Sequence, residues 1–190
     1  MNANDAAALI AGALPPSGGP RAATRVWADL GAGAGTFTEA LAGLLGPGAQ
    51  LYAVDRERRA IAALERLAAS ARSAATIIPR LGDFAERDGW QGLDLPPLDG
   101  VLLANALHFV SAADQATVLA RLVARLTPGG RLVVVEYEGR KPSPWVPAPV
   151  SLARLRAILP AGVGALREVG RRPSAYGGMI YAAVAERGAT

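Results

Sequence analysis

One short stretch constrains the fold more than any other. Asp29-Leu30-Gly31-Ala32-Gly33-Ala34-Gly35-Thr36 follows the apolar run Val26-Trp27-Ala28 and precedes Phe37-Thr38-Glu39-Ala40-Leu41, which has helical spacing. A strand running into a glycine-rich turn and then a helix is the ligand-approach unit of an α/β sheet, because residues without Cβ let backbone amides come close to a nucleotide. The chain has 190 residues, 51% of them apolar, which suffices for one full core and leaves no room for a second.

The remaining pattern alternates strands with helices. An alanine-rich helix is expected at about Asp5 to Ala13, followed by the Pro- and Gly-rich loop Leu14 to Pro20, so residues 1–22 read as an N-terminal segment ahead of a single domain over 23–190. Phe37, Leu41, Leu44 and Leu45 recur at helical spacing until Gly46-Pro47-Gly48. Gln50 to Asp55 reads as a second strand, Arg56 to Ser70 as a helix with Asp55 as its N-cap, and Ala75 to Leu81 as a third strand that Pro79 places at a sheet edge. Glu86 to Pro97 reads as a loop with a helical turn around Trp90, and Leu98 to Asn105 as a fourth strand. Ser111-Ala112-Ala113-Asp114 is a capping box opening a helix to about Leu126, and Arg131 to Tyr137 is a fifth strand. Past the Pro142 to Pro149 loop, a helix over Ser151 to Leu159 leads to strands at Ala165 to Arg172 and Met179 to Glu186. Their short connection makes a hairpin, so the last strand must run antiparallel to its neighbours.

The turn itself selects among ligands. A dinucleotide fingerprint G-x-G-x-x-G would need glycine at position 36, where the chain has Thr36. Asp29, at the end of the first strand, would repel a pyrophosphate and favour a cationic group. S-adenosylmethionine carries an ammonium and a sulfonium and no phosphate. An acid followed by G-x-G-x-G resembles motif I of the class I S-adenosylmethionine-dependent methyltransferases. Gly82-Asp83-Phe84 after the third strand, L-T-P-G-G-R-L before the fifth and the terminal hairpin extend the resemblance from about Val26 to the end.

The resemblance implies a three-layer, Rossmann-like α/β sandwich with a seven-stranded, mostly parallel sheet ending in an antiparallel hairpin. It also implies S-adenosylmethionine as cofactor: Asp29 near the methionine amino group, Gly31, Ala32, Gly33 and Gly35 against the cofactor, and Asp83 and Phe84 at the adenine; Arg56 and Asn105 are further cofactor-binding candidates. Asp55, 24 residues after Gly31, is placed by spacing alone to accept from ribose hydroxyls, a geometry that serves NAD equally. Two rivals stand beside this reading: an NAD(P)-dependent oxidoreductase, and an S-adenosylmethionine-binding protein without catalysis.

Composition removes several chemistries. With no cysteine there is no disulfide, thiolate zinc site, iron–sulfur cluster or covalent cysteine adduct, and with His108 the one histidine there is no histidine-rich metal site. An all-oxygen magnesium site stays open. The net charge of +4 comes from arginines interspersed with acids, as in Arg56-Glu57-Arg58-Arg59, which reads as a solvated face before it reads as a nucleic-acid surface. No apolar stretch of about 18 residues occurs and no basic start precedes an apolar segment, so neither a membrane span nor a secretory signal is expected and the cytoplasm is the default.

The acceptor belongs at the carboxyl end of the fourth strand, where Asn105, His108 and Phe109 fall. His108 is the candidate catalytic general base, because its ordinary pKa lies near neutrality. Glu136 and Tyr137 are second-rank acceptor-site candidates, with Trp145 and Tyr176 as further pocket candidates. Methyltransferases acting on base amino groups often carry [DN]-P-P-[YF] after this strand, whereas this chain has Asn105-Ala106-Leu107-His108, which argues for a small-molecule O or N acceptor.

Overall fold

The computed structural model describes residues 1–15, 25–70, 74–86 and 92–188. Seven strands form one sheet in the order β3-β2-β1-β4-β5-β7-β6. They are β1 (Val26–Leu30), β2 (Gln50–Asp55), β3 (Thr76–Leu81), β4 (Leu98–Ala104), β5 (Leu126–Glu138), β6 (Arg167–Pro173) and β7 (Met179–Glu186). β1 to β5 run parallel, and β7 is antiparallel to both β5 and β6. The strand order reverses between β1 and β4, and the glycine turn leaves the sheet at this switch point, where open α/β sheets form their crevice.

Strand periodicity divides the core into two layers. Val101, Leu103, Leu132 and Val134 point to one face, where α4 (Gln115–Arg125) and α5 (Leu152–Ile158) cover them. Leu102, Val133 and Val135 point to the other, packing with α1 (Ala3–Ile10), α2 (Thr36–Leu45) and Leu64 of α3 (Arg58–Ala69). The central strands therefore read as unbroken apolar runs, as strands covered on both faces do. Trp27 is buried in the second layer, and its register partner on β4 is Gly100. A Cβ at Gly100 would lie 2.4 Å from the indole ring, so the missing side chain makes the space that Trp27 fills.

The structure adjusts several boundaries. α1 starts earlier than expected because Asn2 caps it, its side chain accepting from Asp5 N at 2.9 Å, and it ends in a 3-10 turn over Ala11–Ala13. Ala6, Leu9, Ile10 and Ala13 join the core, and none of the described residues of this segment lines the crevice. Residues 16–20 of the following loop and the turn around Trp90 lie outside the described residues. α3 begins at Arg58 because Asp55, the expected N-cap, instead accepts from Glu57 N at 2.9 Å through Oδ1 and turns its other oxygen to the glycine turn. Pro79 does sit on an edge strand, since β3 pairs with β2 alone.

Asp114 precedes α4, where the Ser111 hydroxyl accepts from its backbone N at 3.2 Å. β5 reaches back to Leu126, because Thr127 to Gly130 form an irregularity inside the sheet rather than a turn before it. Gly129 N donates to Arg187 O at 2.9 Å and Arg187 N to Gly130 O at 2.8 Å, tying this segment to the end of β7.

Candidate functional site

The crevice at the switch point has a volume of about 400 Å³. It is lined by Gly31, Ala32 and Gly33 from the turn, Asp55, Arg56 and Glu57 after β2, Gly82 to Ala85 after β3, and Ala104 to Ala106 with Phe109 and Val110 after β4. Of the sequence-predicted residues, Gly31, Ala32, Gly33, Asp55, Arg56, Asp83, Phe84 and Asn105 meet here. Asp29 and Gly35 do not line it. Gly35 is the N-cap of α2, and Asp29 lies buried on β1. Phe109, expected at the acceptor end of β4, also walls this crevice, whereas Val110 was missed because no motif marks it; the 3-10 turn over Leu107–Phe109 brings both to the wall.

The turn is held from within. Gly31 N and Ala32 N both donate to Val54 O, at 2.9 and 3.0 Å, and Gly35 N donates to Ala32 O at 3.0 Å. Gly33 N donates to Asp55 Oδ2 at 2.8 Å. Gly31 has φ of +74°, and a Cβ there would lie 2.7 Å from that of Ala106, so only glycine fits between turn and β4 exit. These four amides are spent inside the chain, which leaves them unable to cradle a diphosphate.

Carboxylates set the electrostatics. Asp55 uses one lone pair on each oxygen for backbone amides and keeps capacity for two hydroxyl donors. Asp83 accepts from Ala85 N at 2.8 Å, and its Oδ2 lies 3.3 Å from Arg56 Nη1 in an exposed pair of small energetic weight. Asp29 Oδ2 accepts from the Thr38 hydroxyl at 2.7 Å, while Oδ1 is buried without a partner among the described residues. Burial pushes the Asp29 carboxyl up to about 7; the Thr38 bond opposes the rise and the Asp55 charge adds to it. An unpaired buried carboxylate oxygen of this kind is relieved by a nearby cation. Asn105 has φ of +53°, and its Oδ1 is likewise buried without a partner among the described residues.

His108 lines neither this crevice nor the next. It is 2% exposed, its Nδ1 lies 2.7 Å from Glu136 Oε2, and its backbone N donates to Glu136 Oε1 at 3.1 Å. An ionised carboxylate can only accept, so the Nδ1 carries the proton and Nε2 is the basic nitrogen of the neutral ring. The imidazole packs against Phe109, with ring centroids 4.4 Å apart, and faces Tyr137 at 5.9 Å. Tyr137, expected at the acceptor site, lines neither crevice, and burial raises its hydroxyl pKa. Trp145 and Tyr176 are both exposed.

A second crevice, of about 560 Å³, lies on the far side of Phe109 and Val110, which wall both. Gln115 braces the boundary: its Nε2 donates to Val110 O at 3.3 Å and Ala148 O at 2.9 Å, and its Oε1 accepts from Arg154 Nε at 2.7 Å. Among the described residues no cluster of acids and histidine could hold a metal ion, and no helix is long and apolar enough to cross a membrane.

This switch-point crevice, with the acids Asp55, Glu57 and Asp83 after β2 and β3, is the ligand crevice of a Rossmann-like α/β protein. Comparison with known proteins narrows the class. A methyltransferase-domain family model matches residues 28–132, more than half of the chain. Among solved structures, an S-adenosylmethionine-dependent methyltransferase from Methanosarcina mazei aligns at 14% identity over 88% of this chain and 94% of that one, with a TM-score of 0.66. The N-methyltransferase NodS from Bradyrhizobium japonicum WM9 aligns at 21% identity over 98% and 94%, TM-score 0.66. An O-methyltransferase family 2 protein from Planctomyces limnophilus, solved with apigenin, aligns at 23% identity over 97% of this chain and 59% of that one, TM-score 0.66. No curated protein sequence matches. The chain belongs to the methyltransferase-domain family, of the class I S-adenosylmethionine-dependent type, and its cofactor is S-adenosylmethionine.

The residues present fit that cofactor. The orphaned Asp29 oxygen suits a cation, Asp55 has lone pairs for a ribose, and a Cβ built on Gly33 meets no atom within 4 Å, leaving open space beside the turn.

Proposed function

We propose that the protein moves a methyl group to an oxygen or nitrogen of a small-molecule acceptor. The observation that carries this reading is the pairing of two crevices across Phe109: the first is the size of one nucleoside ligand and ringed by acids, and the second opens beside the carboxyl ends of β4 and β5. When bound, the cofactor supplies an electrophilic methyl on sulfonium. Asp55 would hold the ribose, Asp83 and Phe84 the adenine, and Asp29 would favour the ammonium end. Most of the rate in such an in-line displacement comes from holding the acceptor close and aligned, a task for Phe109 and Asn105 at the β4 exit.

In this reading His108 takes the acceptor proton through Nε2, with Glu136 fixing the ring by Nδ1 and by the His108 amide. Phe109 packs on the imidazole and must turn aside for the acceptor to reach it. O- and N-methyltransferases among the structural neighbours support a small acceptor.

Thermal shift tests the reading first. S-adenosylhomocysteine should raise the melting temperature, and NAD and NADP should leave it unchanged. Labelled S-adenosylmethionine with a panel of phenols, carboxylates and amines should then show transfer; the reverse ligand preference would return the protein to the oxidoreductases.

A further inference from the structure

The second crevice has a chemistry of its own. Pro142, Pro147 and Pro149 form flat apolar walls, and Phe109, half-exposed, stands at its mouth toward the first crevice. Arg154 is the one charged residue among those lining it. Two bonds fix the guanidinium: Nε donates to Gln115 Oε1 at 2.7 Å and Nη2 to Ala112 O at 2.7 Å. Arginine has five N–H donors, so three remain for a ligand among the described residues. The brace through the fully buried Gln115 pre-organises the cation, which lowers the entropy lost on binding.

The two crevices are polarised in opposite senses. The first presents Asp55, Glu57 and Asp83 against Arg56, with Asp29 beneath; the second presents a fixed cation in an apolar wall. An elongated molecule lying across Phe109 is therefore oriented by its charge, an anionic end at Arg154 and a neutral nucleophilic end toward the first crevice.

We propose that the acceptor is a flat, apolar ring system carrying a carboxylate, and that Arg154 receives that carboxylate. The proposal rests on the methyl-transfer reading for the identity of the first crevice, whereas the anion site stands on the second crevice alone.

Ligand-detected NMR titrations with 6-hydroxy-2-naphthoate, whose hydroxyl and carboxylate lie at opposite ends of the ring system, and with 2-naphthol, with and without S-adenosylhomocysteine, test it. A charge-assisted hydrogen bond should make the naphthoate bind about tenfold tighter or more. Arg154→Gln should bring the two probes to near-equal affinity by weakening only the naphthoate, and Arg154→Lys should retain part of the preference. Ala148→Trp, whose backbone bonds to His108 O and Gln115 are unaffected by the side chain, should block both probes by filling the crevice. Equal affinity of the two probes in the wild type, a preference that survives Arg154→Gln, or naphthoate binding that survives Ala148→Trp would overturn the assignment. Failure of S-adenosylhomocysteine to bind would strike the methyl-transfer reading instead, since the probe titrations without it report on Arg154 by themselves.

Discussion

His108 Nδ1 lies 2.7 Å from Glu136 Oε2, with both side chains buried at the carboxyl ends of the two central strands. One carboxylate therefore holds both the ring and the backbone of the same histidine, which fixes the β4 exit that presents Asn105 and Phe109. If Nε2 is the base, His108→Asn lowers kcat by about 100-fold or more while S-adenosylhomocysteine binding changes by less than about twofold. Glu136→Gln should lose stability, on the order of 2 kcal/mol, because the amide keeps one acceptor oxygen and turns its NH2 group toward the second of the two buried His108 donors. Circular dichroism melts and single-turnover kinetics on the same samples separate the effects, and an unchanged kcat in folded His108→Asn removes the histidine from the proton path.

The Asp29 carboxyl, raised from 3.8 to about 7, makes stability depend on pH. Between these values the folded chain holds a proton that the unfolded chain has released. The contribution favouring the fold is thus complete below pH 4 and is lost as pH rises through 7. Asp29→Asn cannot titrate, so its stability relative to wild type should climb by up to about 3 kcal/mol between pH 5 and 7.5, read from urea denaturation. A cation favours the ionised form, so wild-type affinity for S-adenosylhomocysteine should rise from pH 6 to 8 and that of the variant should stay flat.

Asp55 joins two roles, clamping Gly33 N and Glu57 N and offering the remaining lone pairs to a ribose. Asp55→Ala should abolish the S-adenosylhomocysteine thermal shift and lower the ligand-free melting temperature, because it removes two backbone hydrogen bonds of about 1 kcal/mol each. A normal ligand-induced shift in calorimetry would show that the sugar is held elsewhere.

Gly100 faces the Trp27 ring across the β1–β4 register. Gly100→Ala should cost about 3 kcal/mol, as overpacking of a tight core does. Adding Trp27→Leu should recover part of that loss, and a double-mutant cycle from chemical denaturation measures the coupling. Additive losses would mean that the strands simply shift apart.

The local sequence determined which chemistry the chain could hold and roughly where its elements lie. Glycines at 31 and 33 announce the turn because only their backbone freedom permits it, and Pro79 announces an edge because it cannot donate to a neighbour. What lies between elements distant in sequence was decided by tertiary structure. The amide of Gly33 pairs with Asp55, the ring of His108 with Glu136 and the guanidinium of Arg154 with Gln115, at separations of 22, 28 and 39 residues. No periodicity encodes such pairs. They follow from strand register and from the need of buried polar groups for partners; they buried the base expected at the acceptor site behind Phe109 and exposed a second, oppositely charged crevice.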